Sequence, residues 1–318
     1  STGFFTEGSR SFWSSVADGP AVDAGGAAEN VPGYVSRNVF TYYSGSPSRN
    51  LADPANEIAS TNTNLTPAMF DVVGFNATEF AEHLDWIRGK DVDDEVEDST
   101  DRYVYGDPLH SRPVAITYGG TEESPDVEVF FGSNAGALHS VNATTGVETF
   151  AYYPEALLPM QIDLRRNLSA TAHPYGVDGT PTPWVNDNNR DGIDPSDTED
   201  FVRIYTGMRR GGRNYYALDA TDRNNPQLMW EIIGGTDDGT GNDFSELGQT
   251  WSRPIKAQII LDGDSEPREV LLFSAGYDED QDEAQLRTPD SKGRGMYIVD
   301  ALTGDLIWSG GKTGAQTW

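Results

Sequence analysis

Ser252-Arg253-Pro254, then Val270-Leu271-Leu272-Phe273-Ser274-Ala275-Gly276, then Met296-Tyr297-Ile298-Val299-Asp300-Ala301-Leu302-Thr303-Gly304: this succession decides the fold, because the chain contains it three times. The copy upstream has Gly179-Thr180-Pro181, Val202-Arg203-Ile204-Tyr205-Thr206-Gly207 and Tyr215-Tyr216-Ala217-Leu218-Asp219-Ala220-Thr221. The first copy has Ser111-Arg112-Pro113, Val127-Glu128-Val129-Phe130-Phe131-Gly132 and Leu138-His139-Ser140-Val141-Asn142-Ala143-Thr144-Thr145-Gly146. Each reads as a strand entered after Pro, an apolar strand ending on a small residue, a Gly-rich turn, and a third strand. Asn142, Asp219 and Asp300 close that third strand, since a short polar side chain accepts hydrogen bonds from backbone amides just ahead. A fourth strand is expected around 147–152, 228–232 and 305–309.

Phe150, Trp230 and Trp308 place a large side chain at matching points of the fourth strand, where neighbouring sheets would pack. A unit of four antiparallel strands that cannot bury its own faces must stack on its neighbours, which is the logic of a propeller blade. The expected fold is therefore all-β, a quinoprotein-like β-propeller of which three blades are clear. Rings of this kind have about four to eight blades, so either the propeller is incomplete within this chain, the preferred expectation, or earlier segments contribute divergent strands.

Around the repeats the chain changes character. Residues 1–33 are rich in Gly, Ala and Ser and follow neither strand nor helix period, so they read as a flexible arm or linker. Residues 34–101 read as a mixed segment with one helix packed on the propeller: Asn76 caps it, Glu79 completes a capping box, Phe80, Leu84 and Ile87 share a face, and Gly89 ends it. Residues 102–318 are assigned to the blades. A start at Ser1 without Met reads as a processed chain or a fragment.

The 318 residues carry 51 Asp and Glu against 22 Lys and Arg, a formal charge of −29. Such a charge repels phosphate backbones and anionic headgroups, so neither nucleic acid nor a membrane surface is an expected partner. Only four of the basic residues are lysines, Lys90, Lys256, Lys292 and Lys312; an acidic, arginine-over-lysine surface fits salty surroundings and a halophilic or marine source. Cysteine is absent, which removes disulfides, thiolate metal sites and a cysteine nucleophile. No apolar run approaches the roughly 20 residues of a membrane helix.

Gly106-Asp107-Pro108-Leu109-His110-Ser111-Arg112-Pro113, followed by Phe131-Gly132-Ser133-Asn134-Ala135-Gly136-Ala137-Leu138-His139, closely resembles the start of the C-terminal propeller of PilY-type pilus proteins. Tyr175-Gly176-Val177-Asp178-Gly179-Thr180-Pro181, Gly211-Gly212-Arg213 with Tyr216-Ala217-Leu218-Asp219-Ala220-Thr221, and Gly248-Gln249-Thr250-Trp251-Ser252-Arg253-Pro254 extend the match. The resemblance covers about two thirds of the chain, and residues 38–89 look like the family's segment ahead of the propeller. It implies a non-enzymatic protein secreted through the periplasm to the cell surface and the pilus tip. Pilins or minor pilins of a type IV pilus would be its partners, together with a host or abiotic surface. Support of pilus assembly, adhesion and calcium-sensitive twitching motility would be its work. The family's variable N-terminal region and its further blades are not represented here.

One loop carries a candidate metal site. Calcium takes about six to eight hard oxygen ligands, which a short loop supplies from alternate acids and amides around a Gly turn. Asp187, Asn189 and Asp191 suit the first, third and fifth positions, Gly192 the turn, and Ile193 a carbonyl ligand. Pro195 stands at the ninth position and Thr198 where a final bidentate acid would be, so Asp194 or Asp197 must complete the shell. The bland alternative is a solvated acidic turn. The acidic stretches 236–246 and 278–290 lack a ligand scheme. Arg209-Arg210-Gly211-Gly212-Arg213 reads as a hairpin turn with exposed arginines, because the Lys-Ser/Thr pair and following helix of a phosphate loop are missing. The four histidines show no metal-ligand spacing, and no nucleophile-elbow motif occurs.

The enzymatic alternative rests on the Asp219-Ala220-Thr221 and Asp300-Ala301-Leu302-Thr303-Gly304 turns with Trp230 and Trp308, which resemble repeats of quinoprotein dehydrogenases. That resemblance implies pyrroloquinoline quinone and calcium over the ring centre. Against it stand the lack of adjacent cysteines and of any basic cluster assignable to the quinone carboxylates. A general extracellular scaffold propeller would share the fold without the motif at 106–113.

Overall fold

The computed structural model describes residues 6–19, 25–96, 99–167, 173–282, 286 and 288–311. Parts of the expected arm (1–5, 20–24), parts of the acidic stretch 278–290 (283–285, 287) and the segment 312–318 lie outside the described residues. The chain packs as two compact units, residues 1–107 with 115–173, and residues 108–114 with 174–318.

Each repeat forms the expected four-stranded antiparallel sheet. In the first unit β2 (Val114–Gly120), β3 (Pro125–Gly132), β4 (Leu138–Asn142) and β5 (Glu148–Pro154) follow in spatial order, and β1 (Val39–Tyr42) adds a fifth strand parallel to β5. In the second unit β6 (Thr182–Asn186), β7 (Phe201–Gly207), β8 (Tyr215–Asp219) and β9 (Gln227–Ile232) make one sheet. β10 (Ile255–Ile259), β11 (Arg268–Ser274), β12 (Gly295–Asp300) and β13 (Leu306–Gly311) make the other. The fifth strand was not foreseen; lying along β5, it removes an unpaired edge from the first sheet.

The repeat holds at atomic detail. The pairing of the third and fourth strands shifts register at one equivalent point in all three sheets, between Ser140 and Val141, Ala217 and Leu218, and Ile298 and Val299. Directly across from the residue before each bulge stands the repeat aromatic: Phe150, Trp230 or Trp308. The expected turns form as well, with Asn142 accepting from the Thr144 and Thr145 amides, Asp219 from Thr221, and Asp300 from Leu302.

The aromatics also tie structure beyond their own sheet. Trp230 is buried, covers Gly304 and donates its indole N–H to the Ala301 carbonyl at 3.0 Å, so β9 is latched to the turn of the next repeat. Trp13, from the stretch ahead of the repeats, makes the same pair of contacts with the first repeat. It covers Gly146 and donates to the Ala143 carbonyl at 2.8 Å. At both glycines φ is positive, and a Cβ would collide with the indole; an L side chain would be strained and obstructed at once.

In the first unit, helix α1 (Ala77–Arg88) has the full capping box: Asn76 accepts from the Thr78 and Glu79 amides, and Glu79 accepts from the Asn76 amide. Gly89, at φ 116°, ends it. Its apolar side joins Val39, Ile58, Phe70, Ala151 and Leu158 in one core. His83 sits there against Phe70, Phe75 and Trp86, fully buried, with no hydrogen-bond partner at either ring nitrogen. The second unit has its own core, around Tyr205, Tyr215, Trp230, Leu271, Phe273 and Tyr297.

An ionic knot crosses the first core. Arg37, with a fully buried side chain, pairs with Glu148 on β5 at 2.5 Å and donates to the Ile87 and Arg88 carbonyls at the end of α1. Glu148 also meets His139 of β4 at 2.8 Å, and the far nitrogen of His139 meets Ser133. Arg88 pairs with Glu57 and donates to the Ile58 and Arg37 carbonyls. Burial pushes the Glu148 carboxyl up, but Arg37 and His139 outweigh it and hold it at about 2. Burial likewise lowers His139, against the pull of Glu148.

Candidate acidic loop and arginine cavity

The expected metal ligands lie on the connection from β6 to β7. Asp187 accepts the Gly192 amide at 3.2 Å, so the loop turns back on its first acid, with Gly192 at φ 108° and Arg190 at φ 60°. Asp187 Oδ1 is buried and accepts no hydrogen bond. Asn189 donates to Asp197 at 3.3 Å, while Asp194 accepts the amide and hydroxyl of Ser196, which lower its carboxyl below the usual range. Asp197 also accepts the Glu199 amide. The sequence reading missed Asp200, which is buried and accepts the Asn188 and Asp194 amides, pinning the loop at two points.

Among the described residues no group of three or more His, Cys, Asp or Glu side chains is gathered as a metal site. The donor chemistry of Asp187, Asn189, Asp191 and the Ile193 carbonyl is all hard oxygen, and Asp187 Oδ1 has an open lone pair. Those features fit calcium; Asp194 and Asp197, engaged with Ser196, Glu199 and Asn189, are the less open members. In the other acidic stretches, carboxylates serve the backbone: Asp238 accepts from Thr240, and Asp278 from Asp280 and Ser291.

The second unit also holds an open cavity of ≈ 380 Å³, where repeat-equivalent segments meet. Arg112 precedes β2, Thr180 precedes β6 and Arg253 precedes β10. Their side chains line it, with His110, Arg209 and Trp251. Hydrogen bonds fix the segments: the Arg112 amide to Thr180, Arg253 Nε to Thr182, and the Met208 and Arg209 amides to buried Thr250. The run 209–213 is the turn from β7 to β8 as expected, but Arg209 is turned inward at φ 50°, over the Trp251 ring at 4.8 Å. Beneath, fully buried Asp178 holds His110 at 2.8 Å and lies 3.5 Å from Arg209 Nε. The sequence showed no assignable basic cluster; the fold gathers one. Its signal was the register of Ser111-Arg112-Pro113 with Ser252-Arg253-Pro254.

No family profile matches the chain. Curated proteins do: the "Type IV pilus biogenesis factor PilY1" of Pseudomonas aeruginosa strain UCBPP-PA14 is 31% identical over 237 residues, 68% of this chain and 18% of that protein. A homologue from Xylella fastidiosa is 33% identical over 160 residues, 50% of this chain and 11% of its own length. A crystal structure of the P. aeruginosa PilY1 C-terminal domain aligns over 61% of this chain and 31% of its own, with a TM-score of 0.38 and 24% identity. The relatives support a PilY-type protein, in agreement with the motifs between Gly106 and Pro254. The chain spans less than a fifth of the curated relatives it matches.

Proposed function

We propose that the chain is the propeller-forming part of a non-enzymatic, extracellular protein that supports type IV pilus assembly. The 31% identity to a type IV pilus biogenesis factor over 237 residues carries this reading. Three sheets alike down to the bulge and the aromatic suit consecutive blades of one ring, with pilins or minor pilins as partners and adhesion and twitching as the outcome. Among the described residues no helix is long and apolar enough to cross a membrane. The decisive experiment is gene deletion in the source organism. Surface pili and twitching should be lost and return with the wild-type gene; unchanged piliation would overturn the reading.

Calcium belongs to the same proposal. Asp187, Asn189, Asp191 and the Ile193 carbonyl would bind the ion, with Asp194 or Asp197 completing the shell, and the ion would fix the β6–β7 connection. An ion that binds only the folded state raises the melting temperature with concentration. Calcium should therefore raise the melting point of the wild-type protein and not that of Asp187→Ala or Asp191→Ala. Equal shifts in all three would remove the site.

A further inference from the structure

The geometry points to the arginine cavity of the second unit as a binding site for a small anion bearing two or three carboxylates. The chain has more than two acids for each base, yet among the described residues lining this cavity there is no Asp or Glu, while Arg112, Arg209, Arg253 and His110 all line it. Arg112 and Arg253 have no carboxylate partner among the described residues, whereas the structural arginines Arg37 and Arg88 are paired with glutamates. Only Asp178 offsets the charge, and it lies behind His110 and Arg209, where it orients them. Arg209 Nε is buried without a hydrogen bond. It is held so by a left-handed backbone and the Trp251 face, a position that costs energy unless something is gained there.

Carboxylates suit these groups better than phosphate does. A guanidinium fork binds either anion in a bidentate manner, but three forks arriving from separate segments call for separate anionic groups. The partners that favour phosphate, a lysine and amides of a glycine nest at a helix start, are not among the described lining residues. Gly179 and Gly207 serve packing instead, since a Cβ on Gly179 would fall 2.2 Å from the Gly207 carbonyl oxygen. The volume lies within the range of small-molecule sites, about 300–1,000 Å³. Ser111, Thr180 and Ser252 add hydroxyls at the wall. Such carboxylates could come from a free metabolite or from an acidic peptide end of a partner, which share one chemistry.

Calorimetry on the whole chain, at fixed ionic strength, tests this with citrate, succinate, acetate, inorganic phosphate and a short peptide ending in two aspartates. Citrate or the peptide should bind saturably and acetate weakly, and whichever of the two binds tighter names the source. Arg112→Gln and Arg253→Gln should each weaken binding about tenfold or more, the loss expected for a charge-assisted hydrogen bond. Arg112→Gln should keep the wild-type melting temperature, because its side chain is exposed, and Arg253→Gln, which gives up the Nε bond to Thr182, should lower it by no more than about 4 °C. Absence of saturable binding by citrate and peptide alike, binding of phosphate as tight as citrate, or undiminished binding by both variants would overturn the assignment.

Discussion

Two arginine clusters, one in each unit, work in opposite ways. In the first, Arg37 and Arg88 are buried, and their guanidinium groups are met by glutamates and by backbone carbonyls from three separate segments. In the second, Arg112 and Arg253 face an open cavity, and Arg209 shares its one acid with a histidine. A saturated charge can hold structure together but has nothing left for a ligand. An unsaturated one adds little to stability, and its persistence in an acidic chain asks for an anion. Arginine by itself announces neither role; the partners decide it.

The comparison can be broken most forcefully at Arg37. Arg37→Met leaves Glu148 buried beside His139 without its counter-charge, and losing one partner of a buried pair costs about 3–5 kcal/mol. Urea titration should show that loss, and a change under 1 kcal/mol would make the knot dispensable. Trp230→Ala should cost about 3–5 kcal/mol, as large aromatic truncations in cores do. Trp13→Ala, removing a partly exposed indole with the same hydrogen bond, should cost less, about 1–2 kcal/mol, and limited proteolysis should then cut first near residue 13.

Acid should separate the units as well. Burial, with Arg165 and Arg166 nearby, lowers His83 from 6.5 to about 4, so between those values the unfolded chain binds more protons than the folded one. Stability must then fall as pH drops from 6.5 to 4, by on the order of 3 kcal/mol in total, at about 1.4 kcal/mol per pH unit. His139, also lowered, acts in the same direction. Glu148 adds a further loss between 4.5 and about 2. Melting curves of His83→Leu should be flatter over the upper window; an unchanged slope would acquit His83. The smallest effect is expected at the exposed Arg112, where Arg112→Gln should stay within about 0.5 kcal/mol of wild type though it should weaken anion binding.

The sheets were legible because their signals are local and repeated: an Asx turn, a small residue ending a strand and an aromatic on the fourth strand appear three times over. The capping box of α1 was legible for the same reason. β1 was not, since a parallel strand is specified by a partner more than a hundred residues away. Nor was the arginine cavity, whose members are spread from Arg112 to Arg253 and read separately as a motif and a hairpin turn. In the acidic loop the sequence named Asp187 and Gly192, which do meet. It passed over Asp200, the acid that fixes the loop, because that residue stands outside any ligand spacing.

Trp13 has a consequence for assembly. The Trp230 latch is a head-to-tail contact, an indole of one sheet set on the turn of the next, and contacts of that kind extend indefinitely unless the series closes or is stopped. By filling the Ala143 turn from within the same molecule, Trp13 takes away the socket into which another copy's tryptophan could plug. A residue that looks like part of a linker thus occupies the place where a neighbouring sheet's tryptophan would dock.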